Sequence, residues 1–242
     1  FAFEILNKIN FFEKKLPYLK TVTQAGGKLK DEILLKFIKF FKKNKIKFYS
    51  MYGQTEASPR MSYLNFKYSE KKLGSIGQPL IGGKFKIYDS KNKVIKEVNR
   101  VGELVYQGKN IMLGYASKVE DLKKSKKIKS LFTGDLAYKD EDGFYFISGR
   151  KNRIIKMNGL RFSLDEIEKE LNANGFNCVI KGSEEKLNIF LTQKVFNSQS
   201  KINDFLFRSY KIRNNNIIFQ KIKKIPRNLN GKITYTNLSS KI

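Results

Sequence analysis

The spacing of apolar residues changes twice along this chain, and those two changes limit its architecture more than any other feature. Residues 21–25 read as a short strand, with Gly26-Gly27 as the turn after it. Across 31–41 the apolar residues Ile33, Leu34, Phe37, Ile38 and Phe41 recur at helical spacing, and 46–51 form another short strand before Tyr52-Gly53. Strand, helix and strand with short connections predict a parallel sheet flanked by helices. Near Leu73 the pattern shifts to short β-like runs at Lys84–Tyr88, Gly102–Gln107, 135–139 and 144–147. Asp89-Ser90-Lys91-Asn92 and Asp140-Glu141-Asp142-Gly143 are suited to closing hairpins, so this stretch predicts a small antiparallel sheet or barrel. The second change comes at Gly149-Arg150. Residues 152–157 are extended and Asn158-Gly159 turns the chain. Ser163-Leu164-Asp165-Glu166 is a capping box opening a helix through Ile167, Leu171 and Ala173. Strands near 177–180, 186–192 and 217–219, with a helix near 202–210, complete an α+β unit. The expected segments are 1–72, 73–148 and 149–242.

What the chain lacks narrows its chemistry. It has no histidine, which excludes a Ser–His–Asp triad, a Cys–His pair and every histidine-ligated metal site. The single cysteine, Cys178, forms no intrachain disulfide and points to a reducing compartment, hence a cytoplasmic location. Its apolar setting, Phe176-Asn177-Cys178-Val179-Ile180, favours a small buried side chain over a reactive thiol. No apolar run approaches the roughly 18 residues that span a bilayer. The net charge of +27 would suit nucleic acid or an anionic surface. Its lysines, however, are scattered: Lys14-Lys15, Lys42-Lys43, Lys71-Lys72, Lys123-Lys124, Lys126-Lys127 and Lys223-Lys224. Abundant Asn, Ile, Phe and Tyr beside them point to an AT-rich coding sequence rather than a selected binding stripe, and no specific nucleic-acid partner is expected.

Several short segments carry candidate chemistry. Tyr52-Gly53-Gln54-Thr55-Glu56 follows a strand, where open α/β sheets place ligands. Tyr52 could stack on a planar base, Thr55 offers a hydroxyl to phosphate, and Glu56 is a hard ligand for Mg²⁺. An ordinary turn with a surface glutamate fits the same residues. Thr133-Gly134-Asp135 presents a carboxylate that suits paired ribose hydroxyls or merely stabilises a turn. Arg150 offers a charged fork for phosphate, or is a plain surface arginine. Asn230-Gly231-Lys232 is a tight turn displaying one lysine among many.

In this order the segments resemble the AMP-forming acyl/aryl-CoA synthetases and their relatives, the adenylate-forming ligases, over about residues 21–238. Ala25-Gly26-Gly27-Lys28-Leu29 is similar to the family's glycine pair bordering adenine. Tyr52 to Glu56 resembles its Tyr-Gly-x-Thr-Glu motif, which implies adenine stacking by Tyr52, phosphate contact by Thr55 and magnesium at Glu56. Gly102 to Gly108, continuing through Met112-Leu113-Gly114-Tyr115, is similar to a structural barrel motif. Phe132-Thr133-Gly134-Asp135-Leu136 resembles the ribose motif, placing both hydroxyls on Asp135. Arg150, Lys156, Gly159, Arg161 and Glu166 to Glu168 resemble the segment that opens a mobile C-terminal domain. Pro226-Arg227-Asn228-Leu229-Asn230-Gly231-Lys232-Ile233 resembles the motif of the catalytic lysine, Lys232.

The resemblance implies the end of a large α/β AMP-binding domain, a β-barrel-like subdomain and a mobile C-terminal α+β domain. It also implies ATP, Mg²⁺ and CoA or phosphopantetheine as cofactors, with a carboxylic acid and CoA or a carrier protein as partners. Lys232 would bridge the attacking carboxylate and the α-phosphate. Rotation about a hinge at Asn152 would then present the strand around Lys156 to the thiol. Three departures stand out: Asn152 replaces the usual Asp or Lys, Ser50 replaces a frequent Asn, and the upstream Pro-Lys-Gly phosphate loop does not occur in these residues. An upstream segment is therefore expected, and the chain by itself is expected to be inactive. A split or inactive adenylation-fold partner and a basic nucleic-acid-binding module are the alternatives.

Overall fold

A computed structural model describes residues 2–123, 128–157, 159–183, 186–228 and 231–238. Lys124, Lys126-Lys127, Asn158 and Leu229-Asn230 lie outside the described residues. The chain divides into two compact units, Phe1–Ser148 and Gly149–Ile242.

The first unit opens with helix α1 (Ala2–Lys8), which the sequence reading did not anticipate, followed by β1 (Thr21–Gln24), α2 (Asp31–Lys43) and β2 (Lys47–Tyr52). Asp31 and Glu32 in the first turn of α2, and Lys42 and Lys43 in its last, suit the helix dipole. Its buried face of Leu34, Phe37, Ile38 and Phe41 packs with Ile46 and Phe48, and Phe41 stacks on Phe48 with ring centres 5.5 Å apart. Strands β1 and β2 are parallel, from Thr21 opposite Lys47 to Gln24 opposite Ser50. The expectation of a parallel sheet holds for that pair alone. β3 (Ser62–Leu64) and β4 (Gln78–Pro79) extend it antiparallel, in the order β1-β2-β3-β4. The 53–61 connection is too short for a parallel crossover, which needs about a dozen residues or more.

A second sheet in this unit contains β5 (Lys84–Tyr88), β6 (Val94–Ile95), β7 (Gly102–Gln107), β8 (Leu131–Lys139) and β9 (Tyr145–Arg150), ordered β6-β5-β7-β8-β9. It is open. The barrel-like expectation for 73–148 is corrected accordingly: β6, two residues long, forms one edge and β9 the other, and no barrel closes among the described residues. Both expected hairpin turns form through an aspartate bonding to backbone ahead of it. Asp89 Oδ1 accepts from Lys91 N and Lys93 N at 2.8 Å, and Asp140 Oδ1 accepts from Phe144 N at 2.7 Å. Phe85, Ile87, Leu104, Tyr106 and Ala137 from this sheet share one core with Ala57 and Met61, next to the end of β2.

The second unit begins with a hairpin of β10 (Ile154–Met157) and β11 (Leu160–Ser163), then α3 (Leu164–Ala173), β12 (Cys178–Ser183), β13 (Lys186–Thr192), α4 (Gln199–Tyr210) and β14 (Ile217–Ile222). Ser163 caps α3 by accepting from Glu166 N at 3.3 Å. The sheet runs β12-β13-β14, with β13 and β14 parallel and α4 in the crossover between them. Its side chains alternate between two cores. Leu187, Ile189 and Leu191 join Ile167, Leu171, Ile202 and Leu206 of the helices, while Val179 and Phe190 pack with Leu238, Ile225 and Ile233 of the C-terminal tail.

Cys178 belongs to the helix-side core, and burial, with Glu168 nearby, pushes its thiol up to about 12. At pH 8 the native thiol is expected to react with iodoacetamide at least about a thousandfold more slowly than in urea. Equal rates in the two states, read by mass spectrometry, would contradict the burial. Among the described residues no helix is long and apolar enough to cross a membrane.

Candidate functional site

Because β1 and β2 are parallel and in register, their carboxyl ends open on one edge of the first sheet. The Gly26-Gly27 turn follows β1, with Gly26 at φ +90° and Gln24 Nε2 donating to Gly27 O at 2.5 Å. Tyr52 ends β2 and Gly53 follows. A Cβ on Gly53 would lie 2.3 Å from the Pro59 carbonyl oxygen, so only glycine lets the 53–61 loop fold back this closely. Thr55 then starts a short 3-10 helix, Thr55–Ala57. That helix is anchored from the 110–112 segment: Asn110 Nδ2 donates to Ala57 O at 2.7 Å and Met112 N to Glu56 O at 2.8 Å.

The second sheet brings the other carboxylate to the same place. The sequence suggests a strand beginning at 135 after a glycine turn. Instead β8 starts at Leu131 and bulges, with Val105 opposite Phe132 but Glu103 opposite Leu136. Three residues, Thr133 to Asp135, face the single Leu104. Thr133 Oγ1 donates to Leu104 O at 2.7 Å and accepts from Asp135 N at 3.1 Å, while Gly134 takes φ +70°. A bulge of this kind re-aims a side chain without ending the strand. Here it turns Asp135 toward β2. Tyr52 OH donates to Asp135 Oδ2 at 2.6 Å, and Gln54 Nε2 donates to the same oxygen at 3.2 Å and to Thr133 O at 2.8 Å. Asp135 is only 4% exposed, and the Tyr52 ring rests edge-on against Phe85, 6.3 Å between centres. Glu56 accepts a hydrogen bond from Tyr115 OH, whose own ionisation is pushed up by that bond to a carboxylate.

The first unit thus joins Tyr52 and Asp135 directly, with Thr55, Glu56, Gly26 and Gly27 on the same strand ends. Gln54, Thr133 and Tyr115 complete the arrangement. Gln54 occupies the variable position of its motif, and Tyr115 lies about sixty residues from Glu56, so neither contact had a local signal. Among the described residues no group of three or more Asp, Glu or Cys could hold a metal ion alone. A single carboxylate beside a threonine hydroxyl still fits Mg²⁺, which commonly takes one or two carboxylates and completes its shell from substrate phosphates and water.

The second unit holds the remaining candidates. Arg150 ends β9, and its N–H donates to Asp165 Oδ2 at 3.1 Å. Asn152 lies in a 3-10 turn, Lys151–Arg153, and Lys156 is exposed on β10 opposite Arg161. Lys232 sits on a closed turn: Asn228 N donates to Lys232 O at 2.9 Å, Lys232 N to Asn228 Oδ1 at 2.9 Å, and Thr234 N to Pro226 O at 3.0 Å. Its side chain is exposed. An open hollow of about 350 Å³ beside the β10–β11 hairpin is lined by Met157, Leu160, Phe162, Lys211, Ile212 and Arg213.

A profile of the AMP-binding enzyme family matches residues 2–116. The long-chain-fatty-acid–CoA ligase of Bacillus subtilis (strain 168) is 36% identical over 120 residues, 50% of this chain and 21% of that protein. A 2-succinylbenzoate–CoA ligase of Bacillus licheniformis is 27% identical over 202 residues, 79% of this chain and 41% of the relative. Among solved structures, o-succinylbenzoate coenzyme A synthetase from Bacillus subtilis in complex with AMP shares the fold, with a TM-score of 0.73 at 23% identity. That match covers 98% of this chain and 49% of the other. The chain therefore spans about half of that structure, and less than half of the curated relatives' length.

Proposed function

Because the chain belongs to the AMP-forming acyl- and aryl-CoA synthetase superfamily, we propose that it supplies the later part of an ATP-dependent acid–thiol ligase. In the first half-reaction a carboxylate oxygen of the substrate attacks the α-phosphorus of ATP, and pyrophosphate leaves with the electrons of the broken P–O bond. In the second, a thiolate attacks the acyl carbon of the adenylate and AMP departs. The thiol belongs to CoA or to a carrier-protein pantetheine. Residues 1–72 end the large α/β AMP-binding part, 73–148 form the β-rich subdomain, and 149–242 the moving C-terminal domain. The cytoplasm, where ATP and CoA are at hand, is the proposed location.

The observation that carries this reading is the Tyr52–Asp135–Gln54 cluster on the bulge, at the open end of a parallel strand pair. A buried carboxylate oriented by two donors is a preorganised acceptor for paired ribose hydroxyls, at low reorganisation cost. Tyr52 and the Gly26-Gly27 backbone flank the base, and Thr55 donates its hydroxyl to a phosphate oxygen. Glu56 supplies the carboxylate for Mg²⁺, which when bound neutralises phosphate charge. Lys232 neutralises the attacking carboxylate and the α-phosphate together, and catalysis is mainly positioning and charge stabilisation. Turning at Asn152 withdraws Lys232 and presents Lys156 and its strand for thiol transfer. Arg150 contacts phosphate, and the hollow with Lys211 and Arg213 in its lining suits the anionic end of the thiol donor.

Calorimetric titration of the chain with AMP tests the site. Asp135→Ala is expected to weaken binding by about 10- to 100-fold, from the loss of charge-assisted hydrogen bonds to the ribose. Unchanged affinity would refute the assignment. Acid-dependent ATP–pyrophosphate exchange is expected from the whole protein and absent from this chain alone; robust exchange by the chain would end the claim that it is incomplete.

A further inference from the structure

The tail of the second unit carries a polar contact that the proposed reaction leaves unused. Strand β12 is an edge of its sheet, so the outward N–H and C=O of Ile180 need partners other than a strand. Glu168 of α3 accepts the Ile180 N–H at 2.8 Å, and Arg153 Nη1 donates to Ile180 O at 2.5 Å. Arg153 also donates to Glu168 Oε2 at 2.9 Å and to Asp165 Oδ1 at 2.7 Å. Both Arg153 and Glu168 are about nine-tenths buried. Into this cluster comes Tyr235 from the tail. Its hydroxyl donates to Glu168 Oε1 at 2.9 Å, and its ring lies 4.1 Å from the Arg153 guanidinium.

Two features give this contact a functional meaning. Arg153 immediately follows Asn152 in the Lys151–Arg153 turn, and Tyr235 lies three residues beyond Lys232. The bonds between Asn228 and Lys232 close the lysine turn on itself and do not fix where it sits on the unit. Ile225, Ile233 and Leu238 pack it on the sheet through apolar contacts, which are non-directional, and Lys181 Nζ of β12 donates to Leu238 O at 2.7 Å, six residues beyond the lysine. The Tyr235 contact is directional too and lies closer to the lysine, joining a hydrogen bond to a carboxylate with a cation–π contact.

We infer that Tyr235 is a positioning residue for Lys232: by bonding to Glu168 and stacking on Arg153 it locks the lysine turn to the segment that bears Asn152, so pivot and lysine travel as one body. This rests on the reading above in which Lys232 serves adenylate formation and Asn152 the turn between half-reactions. A merely stabilising tyrosine would matter equally to both half-reactions. A tyrosine that aims Lys232 matters to the first alone.

The test separates the two half-reactions in the whole protein, following pyrophosphate exchange for the first and thioester formation from supplied acyl-adenylate and CoA for the second. Tyr235→Ala is expected to slow exchange by about 10- to 100-fold, the scale of an ångström-level misplacement. Thioester formation should stay within about twofold, and adding Tyr235→Ala to Lys232→Ala should lower exchange no further. Parallel loss in both half-reactions, or a further drop in the double variant, overturns the proposal. If Tyr235→Ala does not fold, Tyr235→Phe keeps the ring on Arg153 and removes only the hydroxyl. A fall of about three- to tenfold confined to exchange is then expected, and wild-type exchange overturns the link through Glu168. Near-normal exchange by Lys232→Ala alone would instead overturn the role of the lysine, a result distinct from normal exchange by Tyr235→Ala beside a dead Lys232→Ala.

Discussion

Replacing Lys232 with alanine is expected to reduce acid-dependent pyrophosphate exchange by about 10²- to 10³-fold in the whole protein, while ATP binding stays within a fewfold of wild type. The size follows from what the lysine is asked to do. Two anions, the substrate carboxylate and the α-phosphate, must approach within bonding distance, and removing one positioned charge-stabilising group from such a site typically costs that much. ATP affinity is spared in the proposed reading, which assigns base, ribose and phosphates to Tyr52, Asp135 and Thr55 of the first unit, whereas Lys232 is exposed on the turn closed by Asn228 in the second. Equal losses of exchange and of ATP affinity would mean that the lysine binds nucleotide rather than assisting its attack. The measurements are exchange of labelled pyrophosphate and calorimetric titration with ATP.

The largest expected effect on stability is at Arg153. Alanine there leaves Glu168 buried beside Tyr235 and the Ile180 N–H with no cation, and removing one partner of a desolvated pair costs about 3–5 kcal/mol. Burial already pushes the Glu168 carboxyl up from its ordinary value, with Arg153 opposing it, so without the guanidinium the acid is expected to protonate rather than remain charged. Urea denaturation followed by far-UV circular dichroism reads the loss. Replacing both residues with methionine should recover only part of it: the unmatched charge goes, but the Ile180 N–H and C=O and the Tyr235 hydroxyl lose their partners. A loss below about 1 kcal/mol for Arg153→Ala would show that the cluster is hydrated.

Much of this molecule is legible from local pattern. The helical spacing of Leu34, Phe37, Ile38 and Phe41 gives α2 its buried face, and Ser163 caps α3 as its spacing to Glu166 implies. Asp89 and Asp140 organise turns with their own side chains. What local pattern hides is partner choice. Ser62-Tyr63-Leu64 is too short to announce a strand, so the antiparallel extension of the first sheet, forced by a brief loop, escapes notice. The open second sheet depends on which edges meet, and spacing carries no word of that.

The candidate site divides in the same way. Tyr52, Thr55 and Glu56 are visible because they sit at a strand end beside a glycine turn, and Asp135 because it follows Gly134, although it lies inside β8 rather than at its start. Their mutual geometry is not: a bulge of three residues opposite the single Leu104 decides where Asp135 points, and Gln54 and Tyr115 enter only through three-dimensional proximity. Arg153, Glu168 and Tyr235 are spread over more than eighty residues, and nothing short of the folded edge of β12 gathers them.

The tail that displays Lys232 also roofs Val179 and Phe190, so one stretch of chain both holds out the lysine and shingles the sheet. Pruning it to remove the lysine would strip an oily wall bare and leave the unit sticky. A point change at the tip takes the lysine away and leaves the roof on.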